Sequence, residues 1–263
     1  MIVRKTPEEI EKMAAAGRIL VRCHEMLRSK ARPGVTTAEL DEAAERFIRS
    51  QGAEPAFKGY RGFPGSICAS PNSMVVHGIP GSYRLSRGDI LSVDIGVILD
   101  GWVADAAITH PIGNVTPIAA RLLATTRASL FAAVEQCHSG NRLGDVSNAV
   151  QTRVEADGFS VIQSLVGHGI GRDMHEDPQI PNFGDPGTGP ELEEGMVLAI
   201  EPMVNAGTHH VRMGSDNWAV YSQDGSLAAH FEHTVAITGD GPRILTPWHE
   251  TVESGVQAAA ASA

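Results

Sequence analysis

The amino-acid sequence predicts an α+β fold built from two duplicated halves, and three observations carry that reading. Twice along the chain a pair of helical segments gives way to a series of short strands. The segments "TAELDEAAERFIRSQG" (37–52) and "LGDVSNAVQTRVEADG" (143–158) are matching units at the same place in each series. Between them, "DILSVDIGVILDGWVADAAIT" (89–109) reads as two apolar strands around Asp100-Gly101, a strong hairpin signal. We expect one domain over 1–250, with halves of about 1–113 and 114–250, and a small, polar, flexible tail at 251–263.

Each element has a local reason. Thr6, Pro7 and Glu9 form a capping box with proline at the first helical position. The run after them keeps apolar residues at helical spacing until "RPGV" breaks it. Thr36 and Glu39 form a second capping box, and the helix that follows stops at Gly52. Residues 56–81 then turn rich in Gly, Pro and Ser with short apolar runs, the texture of strands joined by turns. In the second half, Thr116-Pro117 opens a helix to about Gln136, "SGN" breaks it, and another helix ends at Gly158. Strand-like runs follow: "FSVIQSLV", "MVLAIEPMV", "WAVYS" and "HFEHTVAIT".

Composition narrows the function classes. The chain has 263 residues, 42% of them hydrophobic and 20% charged, as in an ordinary globular protein that buries a sizeable core. A net charge of −10 gives no electrostatic case for DNA or RNA as a general partner. No stretch is apolar for long enough to span a bilayer, and "MIVRKTPEEIEKM" holds no leader-like apolar core. Cys23, Cys68 and Cys137 are odd in number and far apart, which reads as reduced thiols in a cytoplasmic protein.

The hairpin carries the first chemical signal. With a two-residue loop at 100–101, Asp105 sits opposite Gly96 and Asp94 opposite Ala107. Side chains alternate along a strand, so Asp94 and Asp105 become diagonal neighbours on one face, roughly 7–8 Å apart at Cα. Both stand in apolar sequence, where carboxylates occur when paired or on a metal, and like charges this close repel without a cation between them. The second half offers partners. Glu201 ends "MVLAIE", Glu232 interrupts "AAHFEHTVAIT", and His168 stands among glycines in "GHGIGRDMHEDP". Singly, these read as a strand end, a solvent-facing strand residue and a loop histidine. Together, four carboxylates and one imidazole suit a pair of divalent first-row ions, Co, Mn, Fe or Zn.

These five positions, with "GYRGFPGSICAS", "VVHGIP", "DGWVADAA", "GMVLAIEPMVNAG" and "FEHTVAIT" around them, resemble the methionine aminopeptidases of type I. The likeness is to the short bacterial form in peptidase family M24 and runs nearly the whole chain. It implies the pita-bread fold, two pseudo-symmetric halves with a curved antiparallel sheet, flanking helices and the metals between them. It implies that Asp94 chelates one metal, that His168 and Glu201 hold the other, and that Asp105 and Glu232 bridge them. Glu201 is also the implied proton shuttle. His77 and His175 are implied to contact the substrate and the tetrahedral intermediate without ligating metal. Tyr60, Phe63, Cys68, His77, Met174 and Trp218 match the methionine pocket. The implied reaction is hydrolysis of N-terminal methionine from nascent chains and peptides, with a small second residue preferred. The acidic surface is compatible with docking at the ribosomal exit, and the fold needs no partner for burial, so a monomer is expected.

Several positions depart from the common pattern. Met174 replaces an aromatic, Val103-Ala104 precede Asp105 where a glycine is frequent, Arg61 replaces a frequent histidine, and "NSM" at 72–74 replaces an acidic turn. None removes a ligand. The alternatives are an Xaa-Pro aminopeptidase or dipeptidase of the same fold, which usually carries an extra N-terminal domain, and a non-catalytic binding protein of this fold, which usually lacks metal ligands.

Overall fold

Two helices open the chain where their caps place them. Helix α1 (Pro7–Lys30) and helix α2 (Thr37–Ser50) both begin with complete capping boxes: Thr6 and Thr36 accept from the backbone of Glu9 and Glu39, whose carboxylates accept in return. Each cap contributes about 1 kcal/mol. Helix α1 buries Met13, Leu20 and Leu27 completely, and α2 buries Leu40 and Ile48. The computed structural model describes residues 1–249; the expected tail at 251–263 lies outside the described residues.

The strands between the helix pairs are β1 (Glu54–Pro55), β2 (Cys68–Pro71), β3 (Met74–Val76), β4 (Ile90–Leu99) and β5 (Trp102–Pro111). Strands β4 and β5 form the expected hairpin, with Leu99 opposite Trp102, Gly96 opposite Asp105 and Asp94 opposite Ala107. Asp100 and Gly101 take φ of 52° and 75°, the left-handed conformation that a two-residue primed turn requires. The other edge of β4 pairs antiparallel with β1 and β2, bringing Cys68 opposite Asp94.

The second helix pair is α3 (Pro117–Val134), capped by Thr116, and α4 (Leu143–Ala156). Ten short strands follow: β6 (Ser160–Val161), β7 (Val166–Gly169), β8 (Glu176–Pro181), β9 (Val197–Ile200), β10 (Met203–Asn205), β11 (Val211–Met213), β12 (Val220–Ser222), β13 (Ala228–His230), β14 (His233–Thr238) and β15 (Gly241–Ile244). Five of them form an antiparallel sheet in the order β15-β14-β9-β7-β8. Smaller sheets are β13-β10-β6 and β11-β12-β3, the last joining the two halves.

All four expected strand-like runs are cut short or divided, "WAVYS" keeping only β12. "MVLAIEPMV" splits into β9 and β10 at Glu201-Pro202, because proline has no N–H for a ladder. "HFEHTVAIT" splits at Phe231-Glu232 between β13 and β14. "FSVIQSLV" contributes only β6 and the first residue of β7. These breaks matter, because both glutamates singled out from sequence sit in them.

Candidate metal centre and active site

The site forms where β5 meets the breaks of the second half. The junction is bonded through side chains as well as backbone. Thr234 Oγ1 accepts from the Asp105 N–H at 3.0 Å and donates to its carbonyl at 2.8 Å. Glu232 N–H donates to the Ala107 carbonyl at 2.9 Å, and Thr109 Oγ1 bonds both the N–H and the carbonyl of His230. Residues more than 120 positions apart are thereby held in register around Asp105.

One carboxylate oxygen each from Asp105 and Glu232, and one nitrogen of His168, lie within 4.8 Å of one another, and all three residues are buried. His168 Nε2 stands 4.0 Å from Asp105 and 3.6 Å from Glu201 Oε1. Its Nδ1 lies 2.9 Å from the Gly169 carbonyl, which can only accept, so Nδ1 carries the proton and Nε2 presents a bare lone pair. Gly169 is needed there, because a Cβ would stand 2.1 Å from the Asp177 carbonyl oxygen. Asp94 lines the same cavity from the hairpin's other arm.

Such a set is costly without cations. Burial first, and then the neighbouring carboxylates, push Asp105 and Glu232 well above the usual range. Burial pushes Asp94 up to about 7 and Glu201 up to about 8. Among the described residues, Asp94 Oδ1, Asp105 Oδ1, Glu232 Oε1 and both ring nitrogens of His230 are buried with no hydrogen-bond partner. Unpaired buried acceptors, facing one another and an imidazole lone pair, fit a site that holds divalent ions.

A cavity of about 150 Å³ opens beside these carboxylates. Tyr60, Phe63, Cys68, His77 and Trp218 line it, together with His175, the five residues singled out as ligands, Phe57 and Arg61. Phe63 and Trp218 meet edge to face at 5.1 Å. Burial and the nearby aspartates push the Cys68 thiol well up, so it stays neutral. The ring of His175 lies 4.3 Å from that of His168. Its Nδ1 is 2.8 Å from the Tyr60 hydroxyl, which leaves Nε2 for other partners. His77 sits just after β3 with φ of 57°, a left-handed conformation that turns the chain at the cavity edge.

Met174 is placed differently from its expected position. It is buried, with its Cε over Gly96 beside the Phe57 ring, and does not line the cavity. Phe57 lines the cavity, and Met174 packs with it against Gly96. Sequence reasoning also passed over His230. It is buried, with Nε2 3.6 Å from Glu201 Oε2 and 3.9 Å from Glu232 Oε2. Strand alternation puts 230 and 232 on one face, and that was the available signal. His233, next to Glu232, points the other way and stacks on Trp248 at 4.4 Å.

Comparison with known proteins agrees with this geometry. The model of metallopeptidase family M24 matches residues 11–239. Methionine aminopeptidase 1 of Bacillus subtilis (strain 168) is 54% identical over 246 residues, covering 94% of this chain and 99% of the relative. The crystal structure of methionine aminopeptidase from Thermotoga maritima superposes with a TM-score of 0.92 at 45% identity, covering 94% and 99% of the two chains. An Xaa-Pro dipeptidase from Bacillus anthracis shares the fold with a TM-score of 0.74. At 22% identity the match covers 93% of this chain but only 62% of that one. The helix pairs and curved antiparallel sheets are those of the pita-bread fold. By the extent of the family match and the identity to near full-length relatives, the chain belongs to metallopeptidase family M24, among its methionine aminopeptidases.

Proposed function

We propose that this enzyme hydrolyses N-terminal methionine from nascent chains and peptides with a small second residue, using two divalent ions. In this reading Asp94 holds one ion, His168 and Glu201 hold the other, and Asp105 and Glu232 bridge them. The carrying observation is the buried cluster of Asp105, His168 and Glu232, whose acceptors lack partners, opening on one cavity with an aromatic and sulfur wall. Domain organisation follows: one unit over 1–250, whose halves of about 1–113 and 114–250 each supply ligands. Among the described residues no helix is long and apolar enough to cross a membrane. A monomer in the cytoplasm, meeting its substrates near the ribosomal exit, is the setting that fits.

When bound, divalent ions would lower the pKa of a shared water and polarise the first peptide carbonyl. The chain's own groups do the rest. Phe63, Trp218, Tyr60 and Cys68 offer an apolar, polarisable wall suited to an unbranched thioether. Burial, then His168, Arg61 and His77, hold His175 down to about 4, so its ring is neutral near pH 7. With the Tyr60 hydroxyl donating to Nδ1, the ring proton sits on Nε2, where it can donate to the developing oxyanion. His77 lines the same cavity, where it hydrogen-bonds substrate. Glu201, which lines the cavity beside these ligands, is the proton carrier to the leaving amine in this reading. The His230 ring stands against both glutamates, its Nε2 3.6 Å from Glu201 and 3.9 Å from Glu232, and helps orient them through charge and packing.

Turnover of Met-Ala-Ser against Ala-Pro peptides, with and without chelator, tests the reading. We expect chelator-sensitive release of methionine and no cleavage before proline. Release from Ala-Pro would favour the Xaa-Pro alternative, and inactivity at saturating metal would favour a binding protein.

A further inference from the structure

The loop that carries His175 is held by a buried ion pair from the other end of the chain. Lys5 Nζ lies 2.6 Å from Glu176 Oε2, and the two side chains keep only 2% and 10% exposure. Glu176 turns its other oxygen inward and accepts from the backbone of Arg172 at 3.0 Å and Asp173 at 3.4 Å. Its carboxylate therefore gathers residues 172–176 into one turn, and Lys5 anchors that carboxylate. Lys5 is itself fixed. Its N–H donates to the Gly195 carbonyl at 2.7 Å, and Nζ also donates to the Val3 carbonyl. Arg4 beside it bonds the Glu194 carbonyl and the Glu193 carboxylate. The segment before α1 thus clamps the 171–176 loop to the turn that precedes β9.

Neither residue lines the substrate cavity. Yet Glu176 is the next residue after His175, whose ring must keep both its Tyr60 bond and its place 4.3 Å from His168. The loop's other anchors lie at its start: the Val103 N–H donates to the Gly171 carbonyl at 2.9 Å, and Arg172 stacks over the Trp102 ring at 4.2 Å. Arg172 and Asp173 are exposed, and Met174 is buried. A buried pair with two further backbone bonds is a rigid fixture at the residue that follows His175 in the chain.

We propose that Lys5 and Glu176 are positioning residues for catalysis, holding the His175 imidazole at the angle the transition state needs. This rests on the role given to His175 above. Displacing a catalytic group by about 1 Å costs up to about 100-fold in rate, so a pair that fixes one neighbouring backbone acts through kcat.

The test is a double-mutant cycle on metal-saturated enzyme with Met-Ala-Ser as substrate: Lys5→Met, His175→Ala and the double variant, with Lys5→Arg as the conservative control. Metal content and thermal unfolding are measured alongside kcat and KM. We expect Lys5→Met to lower kcat about 10- to 100-fold. KM and metal content should hold, and Lys5→Arg should recover most of kcat. In the His175→Ala background, Lys5→Met should change kcat less than about twofold, because the group it positions is gone. Equal fold losses in both backgrounds, or parental kcat in Lys5→Met, would overturn the inference while leaving His175 catalytic. Parental kcat in His175→Ala would instead remove the role of His175, and the inference with it. Should Lys5→Met not fold, Glu176→Gln carries the same comparison with the same two outcomes, since it keeps the shape and one acceptor for the loop backbone.

Discussion

The two sides of the proposed metal centre are assembled by different means. Asp94 and Asp105 lie on one hairpin, and their relation follows from a two-residue turn at Asp100-Gly101. His168, Glu201 and Glu232 come from β7 and from two strand breaks, scattered over 65 positions of sequence and gathered only by sheet pairing. The hairpin side is a rigid platform with a locally encoded register. The other side is positioned by neighbours: His168 by the Gly169 carbonyl and the strand breaks by Thr234 and Thr109, with the His230 ring set against Glu201 and Glu232. A centre built this way loses chemistry when the platform's side chain changes. It loses affinity when the gathered side's supports change.

Asp105→Asn is the severest way to break that contrast. The isosteric amide keeps the register and the Thr234 bonds but cannot act as a charged bridge. We expect the fold to persist and kcat/KM to fall on the order of a thousandfold or more, several kcal/mol of transition-state stabilisation. Full activity at saturating metal would show that Asp105 does not bridge. On the gathered side, His230→Ala should weaken metal binding about 10- to 100-fold, with the ions still able to support turnover at saturation. Calorimetric titration of the metal-free protein measures it, and unchanged affinity would mean that His230 only fills space.

The pH dependence of the metal-free protein sharpens the same contrast. Asp94 and Glu201 are pushed up to about 7 and about 8, so the folded state binds more protons than the unfolded chain. Stability must then fall as pH rises through that range. The buried imidazoles His24 and His168, held down to about 4, act with the opposite sign, but only on the acid side of their unfolded value of about 6.5. Between pH 6.5 and 8 the metal-free Tm should therefore decline, and saturating metal should abolish the decline. Parallel Tm profiles with and without metal would show that these carboxylates are not the ligands. The smallest effect belongs to the turn. Gly101→Ala must hold φ near 75° with a Cβ, costing about 1 kcal/mol. That lowers Tm by about 2–4 °C for a chain of this size, with activity per folded molecule unchanged.

Much of this was legible in one dimension. The capping boxes at Thr6 and Thr36 state their own helix starts, since donor and acceptor lie three residues apart. The hairpin states its own pairing, because a two-residue turn and strand alternation leave one register that puts both aspartates on one face. Strand lengths in the second half were less legible. Apolar runs such as "MVLAIEPMV" read as continuous, while Pro202 removes a ladder donor and turns Glu201 toward the cavity.

What the sequence by itself determined, then, is chemistry coded over a few residues: the helix caps, the hairpin, the residue types of the proposed metal centre and the glycines beside His168. The tertiary structure alone decided which distant groups meet. It set His230 against two glutamates, packed Met174 onto Gly96 and off the cavity lining, and brought Lys5 onto Glu176 across 171 positions. The reason is physical. A cap or a turn closes through bonds between neighbours, whose geometry the backbone dictates. A contact between distant segments depends on how whole sheets pack and on which buried charges must find partners once water is gone.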